Sequence, residues 1–292
     1  MKRLDLDQLL GGAPAAVDRR FAETYLAALN LAVLRDGDRA PKAGDGSYRI
    51  ARGVAVLPVR GVLTKRSPWA EWFGWATYEG LETSLREIAA KADVSAVVLD
   101  MDSPGGAAYG AAAAAAAVTE AAKAKPVYAF VDPLAASAAY HIASQATEIA
   151  LSPGAAVGSI GVATTVGKPV LADAGGDLWF QIASSRAPNK RPDPESEEGR
   201  AAILRELDAL EAVFIADVAR GRGVSVETAQ ERFGRGGVLT LAEALTAGMA
   251  DRAASRHEFY EGVFAAHAPQ GSAPARRARA AQAAAARALA RI

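Results

Sequence analysis

Two short segments hold residue types that can do chemistry together. One is Asp102-Ser103-Pro104-Gly105-Gly106; the other, some thirty residues on, is Ala135-Ala136-Ser137-Ala138-Ala139-Tyr140. The first ends an apolar run in a turn whose glycines leave backbone N–H groups free to point at a ligand. The second sets a serine among small residues at the start of a predicted helix. Backbone donors facing a hydroxyl make an oxyanion hole opposite a nucleophile, the chemistry of a serine hydrolase and, for a peptide carbonyl, of a peptidase.

A serine hydroxyl needs a base within hydrogen-bond reach. The chain has three histidines. His257 and His267 lie near or beyond the end of the predicted domain. His141 stands one helical turn after Ser137, but helical side chains lean toward the N-terminus and no third group is evident to orient its ring. A neutral lysine is the alternative base; burial supplies it by penalising the ammonium. Lys123 and Lys125 sit at a helix end, where water keeps them charged. Lys168 and Lys190 each follow a predicted turn or strand, and spacing alone does not choose between them.

The elements that must position these groups read as α/β. Apolar runs predict strands over 54–59, 94–101, 126–131, 148–151 and 178–183; the near-continuous run Ala96-Val97-Val98-Leu99 is typical of a parallel strand buried on both faces. Between them, helices are predicted over 78–91, 107–124 and 137–146, and a long amphipathic one over 201–222. Residues 224–249 read as two shorter helices around Gly234-Arg235-Gly236-Gly237. Strand–helix alternation predicts a parallel sheet with flanking helices, with ligands beyond the carboxyl ends of the strands, where both opening segments fall. Residues 1–50 are drawn as a helical extension and linker, with a helix at 21–34, residues 51–255 as the catalytic domain, and 256–292 as an Ala/Arg-rich tail, the composition changing most sharply from His267. Trp69, Trp72 and Trp75 read as local packing in a loop.

Composition narrows the function further. Lys plus Arg equals Asp plus Glu, 33 against 33, so nothing global favours nucleic acid. Without cysteine there is no thiolate chemistry and no disulfide, which suits a cytoplasmic setting. No leader-like segment and no membrane span is expected. The glycine patterns lack the Gly-Lys-Ser/Thr ending of a phosphate loop, and no cofactor or metal is expected.

Five segments in order resemble the signal peptide peptidase A family, in its phage head-maturation (prohead) branch: Val59-Arg60-Gly61-Val62-Leu63, Asp102-Ser103-Pro104-Gly105-Gly106, Ala136-Ser137-Ala138-Ala139-Tyr140, Val157-Gly158-Ser159-Ile160-Gly161-Val162 and Ala247-Gly248-Met249-Ala250-Asp251. The resemblance implies a Clp protease/crotonase-like fold, ring-like homo-oligomers, polypeptide substrates (scaffold and head proteins, or signal peptides) and a serine–lysine dyad. It assigns Ser137 as nucleophile, Lys190 as base, Ser159 as the residue orienting the lysine, and the N–H groups of Gly106 and Ala138 as the oxyanion hole. Around Lys190 the chain reads Ala187-Pro188-Asn189-Lys190-Arg191, where many relatives have a Gly-Ala-His-Lys-like sequence. Competing expectations are a bacterial signal peptide peptidase-like protease, a crotonase-like acyl-CoA enzyme and a catalytically silent assembly module. In the bland reading Ser137 is a helix cap, Ser159 a turn residue and Gly105-Gly106 a plain strand-to-helix turn.

Overall fold

The computed structural model describes residues 14–18, 22–23, 26–27, 48–66, 70, 74–166 and 183–268. Most of the expected helix at 21–34, nearly all of the linker at 40–48, Trp69, Trp72, Lys168, nearly all of the expected strand at 178–183 and residues 269–292 lie outside them.

In chain order the elements are β1 (Ala15–Val17), β2 (Arg49–Ala51), β3 (Val54–Arg60), α1 (Tyr78–Ala90), β4 (Ala96–Ser103), β5 (Gly105–Ala107), α2 (Ala111–Ala124), β6 (Val127–Ala136), α3 (Ala138–Ala143), β7 (Glu148–Leu151) and β8 (Ala156–Gly158). They continue with a 3-10 turn (Pro188–Lys190), α4 (Glu197–Arg222), α5 (Val226–Arg232), β9 (Val238–Thr240), α6 (Leu241–Ala247), β10 (Arg252–Ala253) and α7 (Arg256–His267). The main sheet runs β10-β7-β6-β4-β3-β2. Its pairings from β3 through β10 are parallel, and β2 closes the edge antiparallel to β3. The long β6 pairs with β4 along most of its length, with a register shift before Ser103↔Ala135; its other edge pairs with β7 through the first half and with β8 through Leu134–Ala136, and β8 pairs antiparallel with β9.

β4 shows why the apolar run is continuous. Val97, Leu99 and Met101 join the larger core under α1, α2 and α3. Ala96 and Val98 point the other way, into a second core with Val54, Phe130, Phe259 and Val263. Both faces are covered, so neither tolerates alternation with polar residues. On the larger side α1 buries Leu81, Leu85 and Ile88 at helical spacing, and the Thr77 hydroxyl caps its start by accepting from the Gly80 N–H at 3.1 Å. The alanines of α2 let it pack closely, with Ala111, Ala114, Ala115, Val118 and Ala121 buried.

The second core changes the reading of the C-terminus. Residues 256–267, drawn as the start of a tail, form α7 on the sheet. Phe259 stacks on Phe130 at 4.6 Å between ring centroids, and Arg256 pairs with Asp100 at 2.9 Å and Asp132 at 3.0 Å. Residues 224–249 likewise hold a strand, β9, beside the two expected helices. Its three residues are too few for periodicity to show; its pairing with β8 makes it a strand.

Candidate active site

Four of the five sequence segments meet at the carboxyl ends of β3, β4 and β6, each with a distinct mechanical part; the fifth, 247–251, lies beside the start of β7, where the Asp251 N–H donates to the Ile149 carbonyl at 2.9 Å. The Ser103 hydroxyl donates to the Gly61 carbonyl at 2.7 Å and accepts from the Gly105 N–H at 3.1 Å, tying the glycine turn to the end of β3. Leu63 brackets that turn: its N–H donates to the Gly105 carbonyl at 2.8 Å, and its carbonyl accepts from the Ala107 N–H at 2.8 Å. A Cβ on Gly106 would lie 1.7 Å from the Leu63 carbonyl oxygen, so only glycine fits. Trp75 packs in the same way on Gly61, whose Cβ would fall 2.2 Å from the indole.

Ser137 is the hinge between β6 and α3. It takes φ 54°, ψ −123°, a backbone conformation that is costly for a residue with a Cβ. Two bonds hold it there. Its N–H donates to the Gly158 carbonyl at 2.7 Å, and its carbonyl accepts from the His141 N–H at 2.9 Å, opening α3. Its side chain makes no capping bond to the helix, which removes the bland reading of Ser137 as a cap. The residue is buried. A Cβ on Gly105 would lie 2.9 Å from the Ser137 Cβ, so the glycine turn and the serine are in direct apposition. Ala138 is the first residue of α3, and an N–H in a first helical turn has no carbonyl of its own helix to bond.

Ser159 follows the residue that holds Ser137. Its φ is 55° and its N–H donates to the Gly237 carbonyl at 2.7 Å, which fixes the turn after β8 against the loop before β9. The Tyr140 hydroxyl anchors α3 from below by donating to the Met249 carbonyl at 3.0 Å. Asp251 accepts from the Ile149 N–H at 2.7 Å and pairs with Arg222 at 2.6 Å.

Lys190 stands apart from this frame. It ends the 3-10 turn, is exposed, and among the described residues makes no side-chain hydrogen bond to Ser137 or Ser159. The structure thus brings together Ser137, Gly106, Ala138 and Ser159, and leaves Lys190 in solvent.

His141 is oriented by a group that sequence reasoning missed. Its Nε2 lies 2.8 Å from an Asp217 carboxylate oxygen on α4, and its ring stacks on Phe214 at 4.5 Å. Burial pushes its pKa below 6.5, partly offset by the Asp217 carboxylate. No hydrogen bond among the described residues joins the ring to Ser137. Asp217 lies 76 positions from His141 and is presented by α4, so no local pattern links the two.

Among the described residues there is no cluster of His, Cys, Asp or Glu that could hold a metal ion, and no helix is long and apolar enough to cross a membrane.

Residues 119–175 match Peptidase family S49. The chain is 29% identical over 238 residues to the capsid assembly protease C of Escherichia phage lambda, covering 80% of this chain and 53% of that protein. It is 33% identical over 184 residues to the head-tail preconnector protein GP5 of Enterobacteria phage P21, covering 62% of this chain and 37% of that protein. It therefore spans about half or less of these relatives. Among solved structures it is similar to the 1510-N membrane-bound stomatin-specific protease bound to a substrate peptide, at 21% identity and a TM-score of 0.43 over 73% of this chain and 80% of that one. ClpP- and crotonase-type chains are also among the similar structures, while the α/β class itself rests on the strand order and registers above. The chain is thus similar to peptidase family S49 over residues 119–175 and, over longer stretches, to two phage head-assembly proteins.

Proposed function

We propose that this chain is a serine endopeptidase that uses Ser137 and Lys190 to cut scaffold or head proteins during capsid maturation, in a prohead within the host cytoplasm. One observation carries the reading: Ser137 is held at positive φ between a strand and a helix, uncommitted to capping, with its Cβ 2.9 Å from the Cβ position of Gly105. A turn residue would need neither the strain nor the apposition.

In this reading neutral Lys190 takes the Ser137 hydroxyl proton as Oγ bonds to the substrate carbonyl carbon. The N–H groups of Gly106 and Ala138 stabilise the oxyanion. The lysine proton passes to the amine as the C–N bond breaks, and water then releases the acyl group from Oγ with Lys190 again as base. Lys190 is exposed in the resting chain, and the step requires its amine within hydrogen-bond reach of Ser137, a placement that substrate or a neighbouring copy in the oligomer that the family resemblance implies would supply. Ser159 would then receive the amine. The basis for Lys190 is its place after the Gly-Ser-Ile-Gly segment in that resemblance.

The test is intact mass after treatment with a fluorophosphonate probe. Wild type should gain one adduct and Ser137→Ala none, and Ser137→Ala should lose peptidase activity. An acyl-CoA enzyme or a silent assembly module predicts no adduct in either protein.

A further inference from the structure

The N-terminal extension supplies a strand to this site. Residues 14–18 lie extended between β5 and the segment at Ala163. On one side β1 pairs antiparallel with β5 in the register Ala15↔Ala107, Ala16↔Gly106, Val17↔Gly105. The pairing continues past both ends: the Ala108 N–H donates to the Pro14 carbonyl at 3.0 Å, and the Asp18 N–H donates to the Pro104 carbonyl at 2.8 Å. On the other side Ala15 and Ala163 exchange both bonds, at 2.9 and 3.0 Å. This edge-to-edge main-chain pairing is how an extended peptide adds to a sheet, and it asks little of the side chains.

The register puts the strand on the reacting position. Ala16 faces Gly106, the proposed oxyanion donor. Its carbonyl oxygen and the Ser137 Cβ lie 2.4 and 2.9 Å from the same point, the Cβ position of Gly105. A polypeptide that pairs with β5 in this register, beside Ser137, would put its own carbonyl where the Ala16 carbonyl now is. The two cannot be present together. Ala16 also forms one wall of a cavity of about 250 Å³, with Ala108, Tyr109, His141, Val162 and Phe214 among the others. Its methyl group leaves that cavity for a larger apolar side chain to fill.

We propose that Pro14–Asp18 is a resident pseudo-substrate: an autoinhibitory strand occupying the groove that polypeptide substrates need, and displaced by chains with a bulkier apolar residue at the Ala16 position. This rests on Ser137 being the nucleophile. An occupant that competes for the groove raises KM by the inverse of the open fraction and leaves kcat alone.

Two full-length variants move the occupancy in opposite directions. Ala15→Pro removes the N–H that bonds Ala163; KM should fall about tenfold at unchanged kcat, and the fluorophosphonate labelling rate of Ser137 should rise by a similar factor. Ala16→Leu fills the cavity; KM should rise and labelling should slow. A synthetic peptide of residues 12–20 should inhibit Ala15→Pro competitively. If Ala15→Pro does not fold, Ala16→Leu and the peptide added to wild type carry the test. Equal labelling rates and equal KM in wild type and the folded variants overturn the strand's role while leaving the nucleophile in place. Absence of labelling in every protein overturns the nucleophile itself, and with it this inference.

Discussion

The serine side and the lysine side of the candidate site are built by different means. Ser137 is fixed by backbone bonds from two other segments, sits against a glycine turn that is itself bracketed by Leu63 and Ser103, and is buried. Lys190 ends a three-residue turn in solvent, and its N–H donates to the Ala187 carbonyl at 3.1 Å. A preorganised oxyanion hole must be rigid before substrate arrives, because its donors stabilise charge only if they need not move. A lysine base must be neutral, and it becomes so through exclusion of water. In the proposed reading the first requirement is met by the fold alone. The second can be met late, by whatever covers the site, so the base need not be seated in the resting chain. This division separates a built half from a delivered half, and the two should respond differently to mutation.

The sharpest break comes from Lys190→Ala. If the lysine is delivered during the reaction, turnover falls nearly as far as on loss of Ser137, on the order of 10⁴-fold, because dyad members act as a unit. Thermal stability should stay at the wild-type value, since the exposed side chain supports nothing. Steady-state peptidase kinetics with a parallel melt reads both. Activity within tenfold of wild type would assign the base elsewhere and dissolve the comparison.

On the built side, Gly106→Ala should damage stability and activity together. The new methyl would lie 1.7 Å from the Leu63 carbonyl oxygen, so β5 must move off the end of β3. Overpacking of this kind costs about 1–3 kcal/mol, and displacement of an oxyanion donor about 10²–10³ in kcat. A variant with normal stability and normal kcat would show that the glycine turn is not part of the machinery. Phe259→Ala sharpens the contrast from the far face of the sheet. It removes the ring stacked on Phe130 in the second core and should cost about 3–5 kcal/mol while leaving KM and kcat of the folded fraction unchanged.

The same division governs what the sequence made legible. β3, β4, β6 and β7 announce themselves as apolar runs, and α1 by its spacing, because burial writes itself into periodicity. Ser137 and Gly105-Gly106 could be placed side by side because they follow adjacent parallel strands. The short strands could not be read. β1 is Ala15-Ala16-Val17 within a segment taken as an extension; its extended state comes from pairing with β5 and Ala163, partners about ninety and 150 positions away. Gly106 and Leu63 are joined by contact rather than by spacing. α7 is not legible as a core helix because the worth of Phe259 and Val263 depends on a sheet face that the sequence does not display. His141 lacked a visible orienting group because Asp217 arrives on α4.

That last pair gives the smallest effect and a clear sign. Burial against Phe214 lowers the His141 pKa below 6.5, more than the Asp217 hydrogen bond raises it; nearby Arg220 lowers it further. The folded chain therefore stays neutral at His141 while the unfolded chain takes up a proton as pH falls through about 6.5. Between these two pKa values the unfolded state binds more protons, so stability rises with pH and is lost on acidification. His267 is shifted in the same direction by burial and adds to the slope. His141→Gln keeps an amide donor toward Asp217 but does not titrate. Melts from about pH 7.5 to 5.5 should show wild type losing more stability than the variant. Equal slopes would mean that His141 is protonated as readily in the folded chain as in the unfolded one. The ring would then be an accessible base one turn from Ser137, and the case for a delivered lysine would lose its contrast.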